Sequence, residues 1–400
     1  MKKSVFSAYI SAMLINLLLI FVSCSLPTVS FADTIATSEK KFITILDNYT
    51  FRDQKKYNFL KIFNSNKFKS NIQVSPFIDC RAHIKDIMCL VAPSDDPSGG
   101  IYREKNKRSC LEGGKEYAKY FEELYDNYPT LLQRMFCSLT TIYIEQRFFG
   151  TAYAGLEHDE KGNVIGGVLG IRQSVLDNNL SLATWASWKE QLSFGGIINS
   201  YDIKPELPII LSTSNHNSND NSHISTSVND FLYFVVTHEF GHIFDFSNNL
   251  NKTKNCHQSA DGTNNSCEME VDSWGAISWK TENQPKNIND FPGRNGLCFY
   301  TCNGKYLDLA AVNQIYSDLN KTDFISTYSS VNPYDDFADS LAYYLLAKNI
   351  NSSYVIDTKT GSQYDVIQKL QSTTWTMKYQ YLDKFISRED IIYPNAQTGP

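Results

Sequence analysis

The strongest periodic signal in the chain lies between Val228 and Asp245, where Val228, Phe231, Leu232, Val235, Val236, Ile243 and Phe244 recur at helical spacing. Ser227 with Asp230 three places on has the form of a helix start with an acid in the first turn, and Ser247-Asn248-Asn249 supplies the stop. The pattern predicts one long apolar helix. From Lys115 to Met135 the residues Tyr117, Tyr120, Phe121, Leu124 and Leu131 keep the same period, and Pro129 kinks the pattern or splits it into a helix pair. Leu139 to Gln146 and Val164 to Ile171 are β-rich runs on either side of the turn-forming 159–163, which together read as an irregular, Gly-rich hairpin. Pro208 to Leu211 is one more short strand, and Leu307 to Leu319 and Asp335 to Lys348 are amphipathic segments. The polar, cysteine-bearing stretch 251–306, which separates the long helix from these last segments, reads as an insertion, and no repeat is visible.

The first residues carry a different pattern. Lys2 and Lys3 precede an apolar run from Ile10 to Val22, and Ser30-Phe31-Ala32 forms a small-x-small site before Asp33. This reads as a signal peptide over 1–32. Val22-Ser23-Cys24 as a lipoprotein site, or an uncleaved anchor, are the competing readings. Beyond this segment no apolar run is long enough to span a bilayer, so no stable membrane insertion is expected after its removal. The organisation then follows: an N-terminal subdomain over 33–113, a main domain over 114–390 and a tail over 391–400.

Composition changes this picture in two places. A formal net charge of -6 without a long basic run argues against nucleic acid as a partner. Nine cysteines are an odd number, but Cys24 falls in the signal segment and the rest form two groups: Cys80, Cys89, Cys110 and Cys137, then Cys256, Cys267, Cys298 and Cys302. In a secreted or periplasmic protein these are expected as two bridges within each group. A structural zinc site built from Cys256, His257, Cys267, Cys298 and Cys302 is the other use of the second group.

Inside the long helix the sequence reads Val235-Val236-Thr237-His238-Glu239-Phe240-Gly241-His242, an HExxH element. Four residues are close to one helical turn, so His238 and His242 stack on one face and aim two imidazoles at one metal ion. Glu239 lies beside them, placed to take a proton from water. With 7 histidines in 400 residues, chance alone produces this element in roughly one such chain in two hundred. Gly241 is read as leaving room on the ligand face, and two histidines on a solvated helix face are the bland alternative.

Zinc requires a third protein ligand. Asp245 and Asn248 stand where the metzincin arrangement places Gly and His, which excludes it. Two carboxylate pairs remain, Glu268 with Asp272 in the polar insertion and Asp335 with Asp339 at the opening of an amphipathic helix. A helix positions a ligand better than a loop, which favours Asp335; Glu268 stays as the rival, with Glu270 and Asp339 behind it. Gly166 to Ile171 is either an edge strand for a peptide substrate or a bent structural hairpin.

His-Glu-Phe-Gly-His at 238–242, followed by Ser326-Thr327-Tyr328 and Asn332-Pro333-Tyr334-Asp335-Asp336-Phe337-Ala338-Asp339, resembles the catalytic domain of the anthrax lethal factor-like peptidases, which include secreted bacterial Pro-Pro endopeptidases. The resemblance spans roughly 115–386 and is specific only in these two motifs. It implies an α+β zincin-like fold with an HExxH helix, a small mixed sheet, a helical C-terminal part and a disulfide-bearing insertion. It also implies Zn2+ held by His238, His242 and Asp335, Glu239 as general base, Tyr328 as oxyanion donor and Asp339 as the partner of a ligand histidine. Asp replaces the family's Glu at both acidic positions, which requires the helix to sit slightly closer. The function expected is a secreted zinc endopeptidase acting on a protein or peptide substrate. The alternative is a secreted binding or adhesion protein on a catalytically silent scaffold.

Overall fold

The computed structural model describes residues 79–91, 109–146, 148, 150–158, 164–177, 181–194, 209–212, 229–258, 265–297, 311–350, 354–358, 362–388 and 391. The expected signal segment with Cys24, residues 33–78, the expected turn at 159–163, Ser227, Cys298, Cys302, residues 307–310 and the residues beyond Ile391 lie outside the described residues.

The described chain is a mixed α+β structure with three small sheets. It opens with α1 (Cys80–Asp86), β1 (Met88–Val91) and β2 (Cys110–Leu111). The aromatic run at 115–135 forms two helices, α2 (Ala118–Asn127) and α3 (Thr130–Ser138), divided at Pro129, whose missing N–H and fixed φ suit the start of the second. Next come β3 (Leu139–Glu145), β4 (Ala152–His158) and β5 (Val164–Arg172). The five strands lie in the order β2-β1-β3-β5-β4. β1 and β3 are parallel, β3 and β5 are parallel, and β4 runs antiparallel to β5 at the edge.

Two expectations change here. The hairpin partner of Val164–Arg172 is Ala152–His158, while Leu139–Glu145 lies beside it as a parallel neighbour. The run at 166–171 is therefore interior, and its glycines accommodate structural neighbours. A Cβ at Gly170 would sit 2.1 Å from the Tyr153 ring, and one at Gly166 2.3 Å from Thr140 Cγ2. The strand β1 also carries part of the 33–113 segment into this sheet.

After α4 (Gln173–Asp177), α5 (Leu182–Ser193) and β6 (Ile209–Ser212) comes the long helix, α6 (Asp230–Asn248). The Asn229 side chain caps it by accepting from Leu232 N, and Asn249 ends it at φ 50°, a left-handed position that asparagine tolerates. Val235-Val236-Thr237 is a poor helix-forming run, costing up to about 0.7 kcal/mol per residue. Burial outweighs this, since a large apolar side chain gains about 1.5–3 kcal/mol and nearly every α6 residue is buried.

A four-stranded antiparallel sheet follows: β7 (Thr253–Gln258), β8 (Asn265–Met269), β9 (Trp279–Thr281) and β10 (Gln284–Pro285), with α7 (Gly275–Ser278) between β8 and β9. α8 (Val312–Leu319) precedes a short turn at Tyr328–Ser330 and the helix α9 (Pro333–Leu345). β11 (Val355–Thr358) pairs with β6 on one side and with β12 (Ser362–Asp365) on the other, both antiparallel, and α10 (Val366–Leu370) and α11 (Thr376–Ile386) complete the described fold. The residues expected as an insertion supply core. Trp274 packs on Phe337 and Tyr381 at ring distances of 5.2 and 5.0 Å, and Trp279 Nε1 donates to Asp336 Oδ2 at 3.1 Å.

Disulfides join Cys80 to Cys137, Cys89 to Cys110 and Cys256 to Cys267, each within its expected group. The first two tie α1 to α3 and β1 to β2. No helix among the described residues is long and apolar enough to cross a membrane.

Candidate metal centre

α6 and α9 pack along one another, and Gly241 is where they touch. A Cβ there would lie 2.8 Å from Ala338 Cα and 3.2 Å from Ala338 Cβ. The glycine therefore serves the helix crossing, where the sequence had suggested room for the ligand. A second lock sits at the end of α6. The Asp245 carboxylate accepts from Asn251 N at 2.9 Å and Asn251 Nδ2 at 2.7 Å, and Asn251 Nδ2 also reaches Pro333 O at 3.1 Å, the first residue of α9. Burial pushes Asp245 up to about 6 despite these bonds.

This crossing brings three donors together. His238 Nε2 and His242 Nε2 are 3.1 Å apart, and Asp335 Oδ1 lies 3.9 Å from the first and 3.5 Å from the second. Metal–donor bonds of about 2.0–2.2 Å put neighbouring donors about 3.3–3.6 Å apart around a tetrahedral ion. The triangle is close to that size, the donors are of the nitrogen and oxygen type zinc accepts, and all three are part of the same grouping. These three residues, among the described ones, fit the donor set that a zinc ion would take.

Two of the three donors are held from behind. Asp339 Oδ1 approaches His238 Nδ1 to 2.7 Å, though not along the straight N–H direction, leaving Nε2 to face the other donors. Asp339 is fully buried; burial raises its pKa, but Lys189, His238 and Ser326 together hold it down at about 2. The Ser326 hydroxyl donates to its second oxygen. Asp335 Oδ2 accepts from Asn332 Nδ2 at 2.6 Å. For His242, burial lowers the pKa, yet the Asp335 and Glu239 carboxylates overcome it and raise the imidazole to about 9.

Glu239 is buried one residue from the first histidine, and burial raises its pKa against the nearby His238, His242 and Lys189. The Tyr328 ring stacks on His238 at 5.7 Å, with Lys189 Nζ 4.3 Å from the ring centre on α5 and 3.5 Å from Asp339 Oδ1. The next residue on α5, Glu190, accepts from Thr327 Oγ1 at 3.0 Å and from the Tyr316 hydroxyl, so two consecutive side chains hold the turn that carries Tyr328. Phe246, exposed one turn beyond, stacks on His242 at 6.0 Å.

The residues expected at the site, His238, Glu239, His242, Tyr328, Asp335 and Asp339, thus stand together. Glu268 does not join them; it is exposed and accepts from Asn255 Nδ2 at 2.9 Å, while Asp272 pairs with Lys252 at 3.0 Å. Asp336, adjacent in sequence to Asp335, turns the other way toward the fully buried Lys378, 2.7 Å distant, and burial raises it to about 7. Cys256 is bridged to Cys267, which removes both thiols from a structural zinc site. Lys189 and Asn332 were not foreseen. Lys189 sits in a segment with no motif, and Asn332 stands in the second motif with no role assigned to it from the sequence. Comparison with protein-family models, curated proteins and solved structures finds no match for this chain.

Proposed function

We propose that this chain is an exported zinc endopeptidase of zincin-like fold, similar to the anthrax lethal factor-like peptidases. The observation that carries the reading is the convergence of His238 Nε2, His242 Nε2 and Asp335 Oδ1 within 3.9 Å, with the Glu239 carboxylate beside them. The antiparallel edge strand β4 against α6 supports the same fold, and three disulfides suit an oxidising compartment. Bound at the three donors, zinc supplies a Lewis acid that polarises a scissile carbonyl and lowers the pKa of water toward about 7.

The protein's own groups do the rest. Glu239 accepts the proton of the attacking water and passes it to the departing amine, a transfer favoured by a carboxylate whose pKa burial has raised toward the working pH. Tyr328 offers its phenol to the developing oxyanion, and Asp339 keeps the His238 ring in its binding orientation.

The test combines metal analysis with peptide-library digestion read by mass spectrometry. About one zinc per chain, cleavage lost with chelator, and a Glu239→Gln variant that keeps zinc but loses cleavage by several orders of magnitude are expected. Full cleavage by Glu239→Gln, or cleavage that survives complete zinc removal, rejects the mechanism. Zinc-free protein that still binds a partner tightly supports the silent binding scaffold instead.

A further inference from the structure

We infer that Asn332 is a positioning residue for the metal, selecting which oxygen of Asp335 faces the two imidazoles; this rests on the zinc reading above. The two ends of one amide perform two tasks. Asn332 Oδ1 accepts from Tyr334 N at 2.9 Å and from Asp335 N at 2.8 Å, capping α9. Its Nδ2 donates to Asp335 Oδ2 at 2.6 Å. With Oδ2 engaged, Oδ1 is the oxygen turned to His242 Nε2 at 3.5 Å and His238 Nε2 at 3.9 Å.

The arrangement answers a specific difficulty. The last torsion of an aspartate is broad and nearly two-fold, so a free carboxylate at this position exchanges its oxygens and swings. Asp335 is the third residue of α9, where an acid ordinarily reaches back toward the cap backbone N–H. The Asn332 amide instead takes one oxygen and leaves the other aimed at the imidazoles. The backbone prepares the amide for this. Pro333 confines the residue before it to extended conformations, and Asn332 is found at φ -156° and ψ 165°. The ligand's aim is therefore tied to the formation of the first turn of its own helix.

The experiment uses the purified full chain with Zn2+ and Co2+ as probes. Ser and Thr both cap helices nearly as well as Asn but carry no amide donor. Asn332→Ser and Asn332→Thr are expected to lose about tenfold to a hundredfold in Zn2+ affinity, measured against a chromophoric chelator. They should also alter the visible absorption of the Co2+-loaded protein, while the metal-free melting temperature stays within about 2 °C of native. Zinc affinity within twofold of native in both variants, with an unchanged Co2+ spectrum, overturns the inference. So does an affinity loss that appears only with collapse of the melting temperature, which is capping alone. A native protein that takes up no zinc overturns the zinc reading and this inference with it.

Discussion

Gly241 lies against Ala338 where the two helices that build the site pack: a Cβ on Gly241 would lie 2.8 Å from Ala338 Cα, a backbone atom that cannot swing aside. The crossing sets how far Asp335 and Asp339 reach toward the histidines.

Gly241→Ala is expected to weaken zinc binding and to destabilise the chain. Added helix propensity contributes about 1 kcal/mol, but overpacking against backbone costs about 1–3 kcal/mol, so the second effect prevails. Denaturant titration and zinc competition check this. A stabilised variant with native zinc affinity would show that the helices can separate without moving the ligands.

On the proposed zinc reading, zinc and protons would compete for His242. With the imidazole raised to about 9, zinc affinity should fall by about tenfold for each pH unit below that value, through loss of this one proton. In metal-free protein the sign is the opposite. A folded value above the ordinary 6.5 contributes stability that is complete below 6.5 and lost as pH rises through about 9. Subtracting the pH–stability curve of His242→Gln from that of the native protein isolates this component; a flat difference over pH 6–9 would refute it.

Lys189 and Asp339 form a pair in which the carboxylate is fully buried and the ammonium 12% exposed. Lys189→Met strands that carboxylate, at an expected cost of about 3–5 kcal/mol, with Lys189→Arg milder. Asp339 is held at about 2, so its contribution is present above the ordinary 3.8 and lost as pH falls through 2. Acid unfolding of Lys189→Met should therefore begin at higher pH than in the native protein, as followed by circular dichroism. Coincident acid limbs would remove Lys189 from the account.

Six of the nine cysteines stand in bridges. Thiol titration of the denatured, unreduced full chain should find no more than three free thiols. Four or more would contradict the pairing.

Much of the site was legible in the sequence because it is local. His238, Glu239 and His242 are placed by the pitch of one helix, and that helix is marked by an unbroken apolar pattern that any compact fold must bury. Asp335 and Asp339 are likewise one turn apart on a second helix. Strand pairing is non-local, and period-two runs do not state their neighbours, so the hairpin was assigned to Leu139–Gln146 when Ala152–His158 is the partner. Gly241 looked like space for a ligand because a missing side chain does not say what fills its place. Tertiary structure alone decided that the filler is Ala338, that Asp335 rather than Glu268 meets the histidines, and that Lys189 and Asn332 stand behind the ligands. These are contacts between segments 90 or more residues apart, or side-chain aims within one turn, and both are settled by packing and not by periodicity.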